Sequence, residues 1–327
     1  MEEAIGTSTL SLLAIPLAFI IGFALRRGSV CMVEGTRQAI VLGRPLRLRA
    51  FLAAAGTAGA IILPLAWLLP GKGMLAPGFP ITTSTIAGGV LFGMGARLNG
   101  GCQFGTLGRL AGGELNFLVT CMAAVGGAVL AMRAAGLASP SESLLMEPHV
   151  PGFIVFLLFC ILAAPAVRLR YWRNLGRSLR SRRIQLSPFT AMLVVGAAGG
   201  VLYTLAGSWT LGSLLNREGA WLLGDTANHA DSKAIAGAFA LLAGAVYAAV
   251  WTGKFRLRMP SLDALTRHAP GGAMMGAGAA IVPGGNGTLL LYSMPSASLS
   301  GWVAFGAMTA VIALSFVPQR IARRAPR

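Results

Sequence analysis

The sequence predicts an all-α integral membrane protein of about nine transmembrane helices, arranged as two inverted repeats with short re-entrant or broken helices. Three observations predict this fold class. The 327 residues are 55% hydrophobic and only 11% charged, and several apolar runs reach the roughly 20 residues that cross a bilayer. A glycine-rich segment occurs twice, and the basic residues are concentrated in alternate loops. The 44 glycines are typical of helices that pack closely in lipid.

The apolar runs predict nine spans, separated by loops. They are residues 9–27, 50–69, 81–98, 115–135, 150–169, 187–206, 233–253, 270–283 and 300–317. The eighth is too short to cross alone, so we expect it to continue into the segment after it. The N-terminal sequence MEEA is acidic and precedes no small-residue cleavage site, so the first span is expected to be a retained helix.

The internal repeat pairs residues 88–101 with residues 271–284, 183 positions later and without a gap. The identical positions are Gly88/Gly271, Gly89/Gly272, Gly93/Gly276, Gly95/Gly278, Ala96/Ala279 and Gly101/Gly284. The next position is Cys102 in the first copy and Gly285 in the second. A repeat of this kind, ending in a glycine break, is typical of transporters built from two related halves.

The charge distribution predicts the orientation. With the N-terminus outside, 23 of the 27 basic residues and the C-terminus lie on the inner side, and seven of the ten acids lie on the outer side. The positive-inside rule therefore predicts a multi-pass protein of the bacterial inner membrane with a periplasmic N-terminus and a cytoplasmic C-terminus. The net charge of +17 is explained by the basic residues of the inner loops, which set the orientation in the membrane. No nucleic-acid partner is therefore expected.

This topology divides the chain into three parts. Residues 1–149 form the first transmembrane repeat, and residues 150–186 form a linking helix and an Arg-rich cytoplasmic linker. Residues 187–327 form the second repeat. Because the fifth span reverses the direction of the chain, the second repeat is inverted relative to the first. The linker arginines in 168–183 are expected to anchor at anionic headgroups of the lipid bilayer.

Four segments look like broken helices, at residues 26–37, 99–109, 205–217 and 283–293. Irregular backbone at membrane depth is tolerated only against protein or a water-filled cavity, so these segments are expected to line a path. A helix that starts after such a break directs free N–H groups and a positive dipole end forward, which favours an anion. No acidic residue lies in the middle of a predicted span, and this also favours an anion or a neutral solute.

The four cysteines fall into two classes. Cys31 and Cys102 lie inside breaks, whereas Cys121 and Cys160 lie inside ordinary spans and are interpreted as small buried hydrophobes. Their spacing predicts neither a metal site nor a disulfide framework. The three histidines are placed in loops and form no cluster. The chain has no phosphate-binding loop, so we do not expect it to use ATP. We also expect no cofactor, no metal, no catalytic residues and no enzyme activity.

The motifs GSVC at 28–31 and GGCQFG at 100–105, together with the GG…GxGA…GG run, resemble the YeeE/YedE family of sulphur-transport proteins, which includes bacterial thiosulfate importers. The resemblance covers essentially the whole chain. It implies inverted halves with short re-entrant helices and a path lined by cysteines that pass the ion along by S–H···S contacts. At matching positions, these cysteines are Cys31 and Cys102.

The second half departs from that family pattern. The importers place a cysteine in the last break, where this chain has the sequence PGGNG at 283–287. Aligning Gly28 with Gly207 places Thr210 opposite Cys31. Gln103 is expected either to contact the solute or to satisfy carbonyl groups of the broken helix. The predicted substrate path therefore consists of Cys31, Gly101, Cys102, Gln103, Thr210, Gly285 and Asn286.

The resemblance implies inner-membrane transport of a small sulfur-containing anion, thiosulfate or a related ion. One alternative is a membrane-embedded sulfurtransferase that passes persulfide sulfur to a cytoplasmic sulfur-carrier protein. Another is a transporter of a selenium compound or other small solute. A helix N-terminus lowers a thiol's pKa and a thiolate repels an anion, so the thiols are either kept protonated or react as a persulfide relay.

Overall fold

The computed structural model describes residues 2–69, 75–135, 150–167, 172, 175–182, 185–207, 209–224, 232–282 and 284–324. Within these ranges the regular backbone is helical, apart from isolated bridge residues such as the pair Glu114 and Arg258. The loop predicted at 136–149, much of the Arg-rich segment, Ser208 and Pro283 lie outside the described residues.

The helices fall into two series of six with a connecting segment between them. The first series is α1 Glu2–Arg27, α2 Met32–Leu42, α3 Leu46–Leu68, α4 Thr83–Asn99, α5 Gln103–Leu110 and α6 Asn116–Ala135. The connection contains α7 Val150–Ala163, which continues as a 3-10 turn at Ala164–Val167, and α8 Leu175–Arg180. The second series is α9 Pro188–Ala206, α10 Leu211–Leu222, α11 Ser232–Trp251, α12 Leu262–Ile281, α13 Asn286–Thr288, which continues as a π-helical turn at Leu289–Ser293, and α14 Leu299–Arg324.

Every predicted span contains a helix, but the helices differ in length. Five described stretches are long and apolar enough to cross a membrane: Leu13–Leu42, Leu46–Leu68, Asn116–Ala134, Ala234–Trp251 and Leu299–Arg323. Val150–Ala163 and Pro188–Thr204 are apolar but shorter. The protein is therefore an all-helical, multi-pass membrane protein, and its division into nine spans stays a prediction.

The eighth segment starts earlier than the sequence predicted. Helix α12 has 20 residues and begins at Leu262, because the Ser261 hydroxyl accepts a hydrogen bond from the Ala264 N–H at 3.3 Å and caps the helix. Pro270 lies inside this helix instead of marking its start. His268, predicted in a loop, is consequently a buried helical residue.

Backbone conformation ends the long helices at the predicted breaks. Gly100 ends α4 with a left-handed φ of 75°, and Gly284 follows α12 with a φ of 111°. Only glycine adopts these values without strain, so the chain can leave one helix there and begin another within a few residues. The first break contains Ser29 at a φ of 47°, whose carbonyl oxygen accepts a hydrogen bond from Arg47 Nη1 at 2.9 Å.

Helix packing follows the same pattern in both series. The first helix of each series packs against the third helix of the other: α1 contacts α11, and α9 contacts α3. The fourth helix of each series packs against the sixth helix of the other: α4 contacts α14, and α12 contacts α6. The central contact joins α4 to α12. There a Cβ on Gly95 would lie 2.7 Å from the Gly271 oxygen, and a Cβ on Gly278 would lie 2.6 Å from the Gly88 oxygen. The repeated glycines therefore allow the backbones of α4 and α12 to touch.

We expect Gly278→Ala to lower the free energy of unfolding by about 1–3 kcal/mol, because the added methyl group overlaps backbone of α4. Gly306→Ala is the matched control, since no atom lies within 4 Å of a Cβ at that helical position. Alanine is also the better helix former there, by roughly 0.5–1 kcal/mol. Thermal unfolding of both variants in detergent measures the difference, and a Gly278→Ala variant as stable as wild type would contradict the contact.

Candidate functional site

Four short helices begin directly after the breaks, and their first turns meet in the interior. Cys31 is the N-cap of α2, Cys102 of α5, Thr210 of α10 and Gly285 of α13. The sequence alignments paired Cys31 with Thr210 and Cys102 with Gly285. In the structure both members of each pair are the N-cap of a short helix. The free N–H groups and positive dipole ends of these helices make their starts favourable places for negative charge.

The two break cysteines are neighbours. The Met32 N–H, on the residue that follows Cys31, donates to Cys102 Sγ at 3.3 Å. Cys102 is fully buried, whereas Cys31 is partly exposed. Gly105 leaves room for the pair, since a Cβ there would lie 2.7 Å from Cys31 Sγ. The first turns of α2 and α5 therefore hold two sulfur atoms side by side.

Next to the thiols, Gln103 and Asn286 join the two series of helices. The backbone N–H of Gln103 donates to the side-chain oxygen Oδ1 of Asn286 at 3.2 Å, and Asn286 is fully buried. Gln103 Oε1 and Asn286 Nδ2 have no hydrogen-bond partner among the described residues. A Cβ on Gly285 or Gly212 would overlap the Gln103 amide, so both glycines are needed for it to lie there. A buried donor and acceptor without partners are costly unless something binds them.

Beyond the amides lies a cluster of hydroxyl groups. The Thr288 hydroxyl lies 3.1 Å from that of Thr210 and 2.8 Å from that of Ser213, and it accepts from the Tyr203 hydroxyl at 3.2 Å. The Tyr203 ring stacks on Tyr292 at 4.6 Å between centroids. The first turns of α10 and α13 are therefore lined by oxygen, where those of α2 and α5 are lined by sulfur.

A buried polar network holds the break before Cys102. Asn99 Nδ2 donates to the Gly101 carbonyl at 2.8 Å and to the Thr106 hydroxyl at 3.0 Å. Asn99 Oδ1 accepts from the Thr120 hydroxyl at 2.7 Å and lies 2.7 Å from His268 Nδ1. Asn99 therefore holds the Gly101 carbonyl in place and connects α5 with α6 and α12. In this way it positions the backbone that precedes Cys102.

A cavity of about 460 Å³ opens from Cys31 toward the C-terminal end of α1. We call it the arginine vestibule. Its lining includes five arginines and one carboxylate, together with Cys31: Arg26, Arg37, Arg47, Arg97, Arg109 and Glu34. Glu34 is bound by Arg37 Nε at 2.7 Å, by Arg37 Nη2 at 2.8 Å and by Gln38 Nε2 at 2.8 Å. The vestibule is therefore strongly cationic.

The structure brings the residues of the sequence-predicted path near one another in the interior. Cys31 lines the vestibule, Gln103 follows Cys102 in the chain and contacts Asn286, and Thr210 belongs to the hydroxyl cluster with Thr288. Gly101 is held beside Cys102 by its bond to Asn99. Cys160 lies in α7, whereas Cys121, in α6, lines a small cavity together with Gln103 and Gly212.

Sequence reasoning missed several residues of this region. Ser213 is the third residue of α10, and its N–H donates to the hydroxyl of the N-cap residue Thr210. A polar residue three positions after an N-cap threonine is a capping pattern that the sequence shows. Tyr203 is a tyrosine inside an apolar run, and Thr288 follows Asn286 by two positions. Arg26, Arg37 and Arg109 lie inside the predicted break segments, but nothing local in the sequence marks His268 or Arg47 as a neighbour of the breaks. Among the described residues no group of His, Cys, Asp or Glu is arranged to hold a metal ion.

Two comparisons with known proteins bear on this arrangement. The sequence profile of the family described as Sulphur transport matches residues 27–314. The chain is also 27% identical, over 350 aligned positions, to the thiosulfate transporter TsuA of Escherichia coli (strain K12). That alignment covers 94% of this chain and 95% of the relative.

Proposed function

This chain belongs to the sulphur transport family, and we propose that it carries a small sulfur-containing anion, thiosulfate or a related ion, across the bacterial inner membrane. The proposed path runs from the arginine vestibule through Cys31, Cys102 and Asn286 to Thr210. The E. coli relative is a thiosulfate transporter and is similar over nearly its whole length, which supports this substrate class.

The observation that carries the proposal is the thiol pair at two helix N-termini. Cys102 Sγ accepts the N–H of Met32, the residue that follows Cys31. A thiol is polarizable and a weak donor, so it suits the soft terminal sulfur of thiosulfate. The backbone N–H groups around the pair suit the negative charge of the same ion. Both thiols stay protonated in this mechanism, since a thiolate would repel the anion.

The amide pair supplies the next contact. Asn286 Nδ2 is a buried donor without a partner among the described residues, and it lies beside the thiol pair through the Gln103 contact. An oxyanion passing from Cys102 would accept a hydrogen bond from this amide. In the second half the ion meets hydroxyls instead of thiols, so sulfur is recognised in the first half only.

We propose further that the two series of helices are inverted repeats within nine spans. Gln103 and Asn286 are separated by the repeat distance of 183 positions and touch each other, as residues close to a two-fold axis would. The contact of Gly95 with Gly271 corresponds, by the same shift, to that of Gly278 with Gly88. With the positive-inside rule, the vestibule opens to the cytoplasm and the N-terminus lies in the periplasm.

Uptake into proteoliposomes tests this function. The purified protein is expected to take up radiolabelled thiosulfate with saturable kinetics and much faster than sulfate, which lacks the soft sulfur atom. Liposomes without protein provide the background. Uptake no faster than that background would reject the proposal, whereas competition by a selenium-containing analogue would broaden the substrate class.

Mass spectrometry separates transport from the sulfurtransferase alternative. A persulfide relay would leave an adduct of about 32 Da, one sulfur atom, on Cys102 during turnover and would need a cytoplasmic sulfur-carrier protein. The proposed transport leaves the thiols unmodified and needs no carrier.

A further inference from the structure

We infer that the arginine vestibule is a second anion site, which binds divalent tetrahedral oxyanions by their charge without distinguishing sulfate, phosphate and thiosulfate. Its role as a holding site for the transported ion rests on the proposed function, but the binding itself does not. Charge would then be selected in the vestibule and sulfur at the thiol pair.

The lining of the vestibule has an excess of positive charge. Five arginines face one carboxylate, and that carboxylate is occupied by Arg37 and Gln38. The other four arginines form no ion pair with a described carboxylate. Several cations around one partly enclosed space repel one another, and a bound divalent anion relieves that repulsion.

The arginines are also held in place before any ion arrives. Arg97 Nε donates to the Ser315 hydroxyl at 3.1 Å, and its guanidinium lies 4.5 Å from the centroid of the Phe316 ring. The Arg109 guanidinium lies 5.3 Å from the centroid of Phe117. A guanidinium has five N–H donors, so these contacts leave most donors available. The side chains are therefore positioned to bind an oxyanion at little cost in conformational entropy.

The size of the cavity predicts weak discrimination by shape. About 460 Å³ holds an oxyanion together with several waters of about 30 Å³ each. A hydrated ion in such a space is recognised by charge and by multiple N–H donors. Within the vestibule the soft sulfur of thiosulfate gains nothing over oxygen, because the nearest thiol, Cys31, lies only at the inner end of the cavity.

An oxyanion in this cavity could come from a free ion or from a lipid headgroup. We assign it to a free ion because the lining residues come from helices that face one another, α1 to α5 and α14, and because the cavity leads inward to Cys31. A lipid headgroup would instead need an opening toward the hydrocarbon region along which its acyl chains could lie.

Equilibrium binding of radiolabelled sulfate to the full-length protein in phosphatidylcholine nanodiscs tests the inference. Wild type and Cys102→Ala are expected to bind sulfate equally. The double variant Arg97→Gln, Arg109→Gln is expected to bind at least about tenfold more weakly, since it removes two charge-assisted contacts. Arg47 is left intact because it also holds the Ser29 carbonyl. Arg133→Gln, an exposed arginine of α6 outside the vestibule, is the matched control and is expected to bind like wild type.

Absence of saturable sulfate binding by wild type would overturn the inference, and so would equal binding by the double variant with wild-type thermal unfolding. Loss of sulfate binding when phosphatidylglycerol replaces part of the phosphatidylcholine would assign the cavity to lipid headgroups and also overturn it. Arginine-dependent sulfate binding by a protein that fails to take up thiosulfate would support the second site while rejecting the proposed function.

Discussion

Cys102→Ser is expected to reduce thiosulfate uptake by about 10- to 100-fold while the protein folds normally. The serine hydroxyl can still accept the Met32 N–H that now binds Cys102 Sγ, so the junction between α2 and α5 is kept. The serine hydroxyl also remains a donor, so what is lost is the polarizable sulfur that suits the soft sulfur of the ion. The expected loss of rate corresponds to about 1.4–2.8 kcal/mol. Initial uptake rates in proteoliposomes measure it.

The control for this prediction is Cys160→Ser. Cys160 lies in α7, away from the breaks, and is about as accessible as Cys31. It should transport like wild type, which separates the loss of a path thiol from a general effect of removing a cysteine. Equal uptake by Cys102→Ser and wild type would show that the thiol pair takes no part in transport.

Asn286→Asp is expected to abolish uptake at neutral pH. The new carboxylate keeps the acceptor for the Gln103 N–H, but it replaces the unpartnered Nδ2 donor with a negative charge. Asn286 is the first residue of α13, whose dipole favours the ionised carboxylate. Two unit charges 4 Å apart at an effective dielectric constant of 20 repel by about 4 kcal/mol, which corresponds to roughly a thousandfold loss.

A matched asparagine provides the control. Asn116 begins α6, and its Oδ1 also accepts a backbone N–H, from Ser261 at 3.1 Å, but this contact is exposed. Asn116→Asp should therefore transport normally. Asn286→Leu, which removes the donor without adding charge, is expected to show an intermediate rate. Wild-type uptake by Asn286→Asp would place the anion path elsewhere.

Much of the fold could be predicted from local sequence patterns. Apolar runs indicated every long helix, but some ends differ by several residues. Helix α1 begins at Glu2 and α14 ends at Arg324, each beyond its predicted span, and a serine cap starts α12 at Leu262 with Pro270 inside the helix. Glycines indicated the breaks, because a backbone with positive φ at Gly100 or Gly284 is accessible to few other residues. The resemblance to the YeeE/YedE family is confirmed by the match to the family profile over residues 27–314.

The candidate site could be predicted only as a set of positions. The sequence indicated Cys31, Cys102 and Asn286 through their places in breaks. It did not indicate that a thiol accepts the Met32 N–H across 70 positions, or that Gln103 touches Asn286 across 183. The hydroxyls of Tyr203, Ser213 and Thr288 meet from three separate helices, so no single segment contains the pattern.

By itself, the sequence determined the membrane environment, the helices, the breaks and the family. Hydropathy, charge and glycine content are properties of short segments, so they can be read without knowing how the segments pack. The tertiary structure decided which breaks meet. Close packing of α4 on α12 through glycines brings together helix starts that are far apart in sequence. It also gathers arginines from several helices around one cavity beside Cys31, since distances between helices depend on how their faces pack and not on the order of their residues.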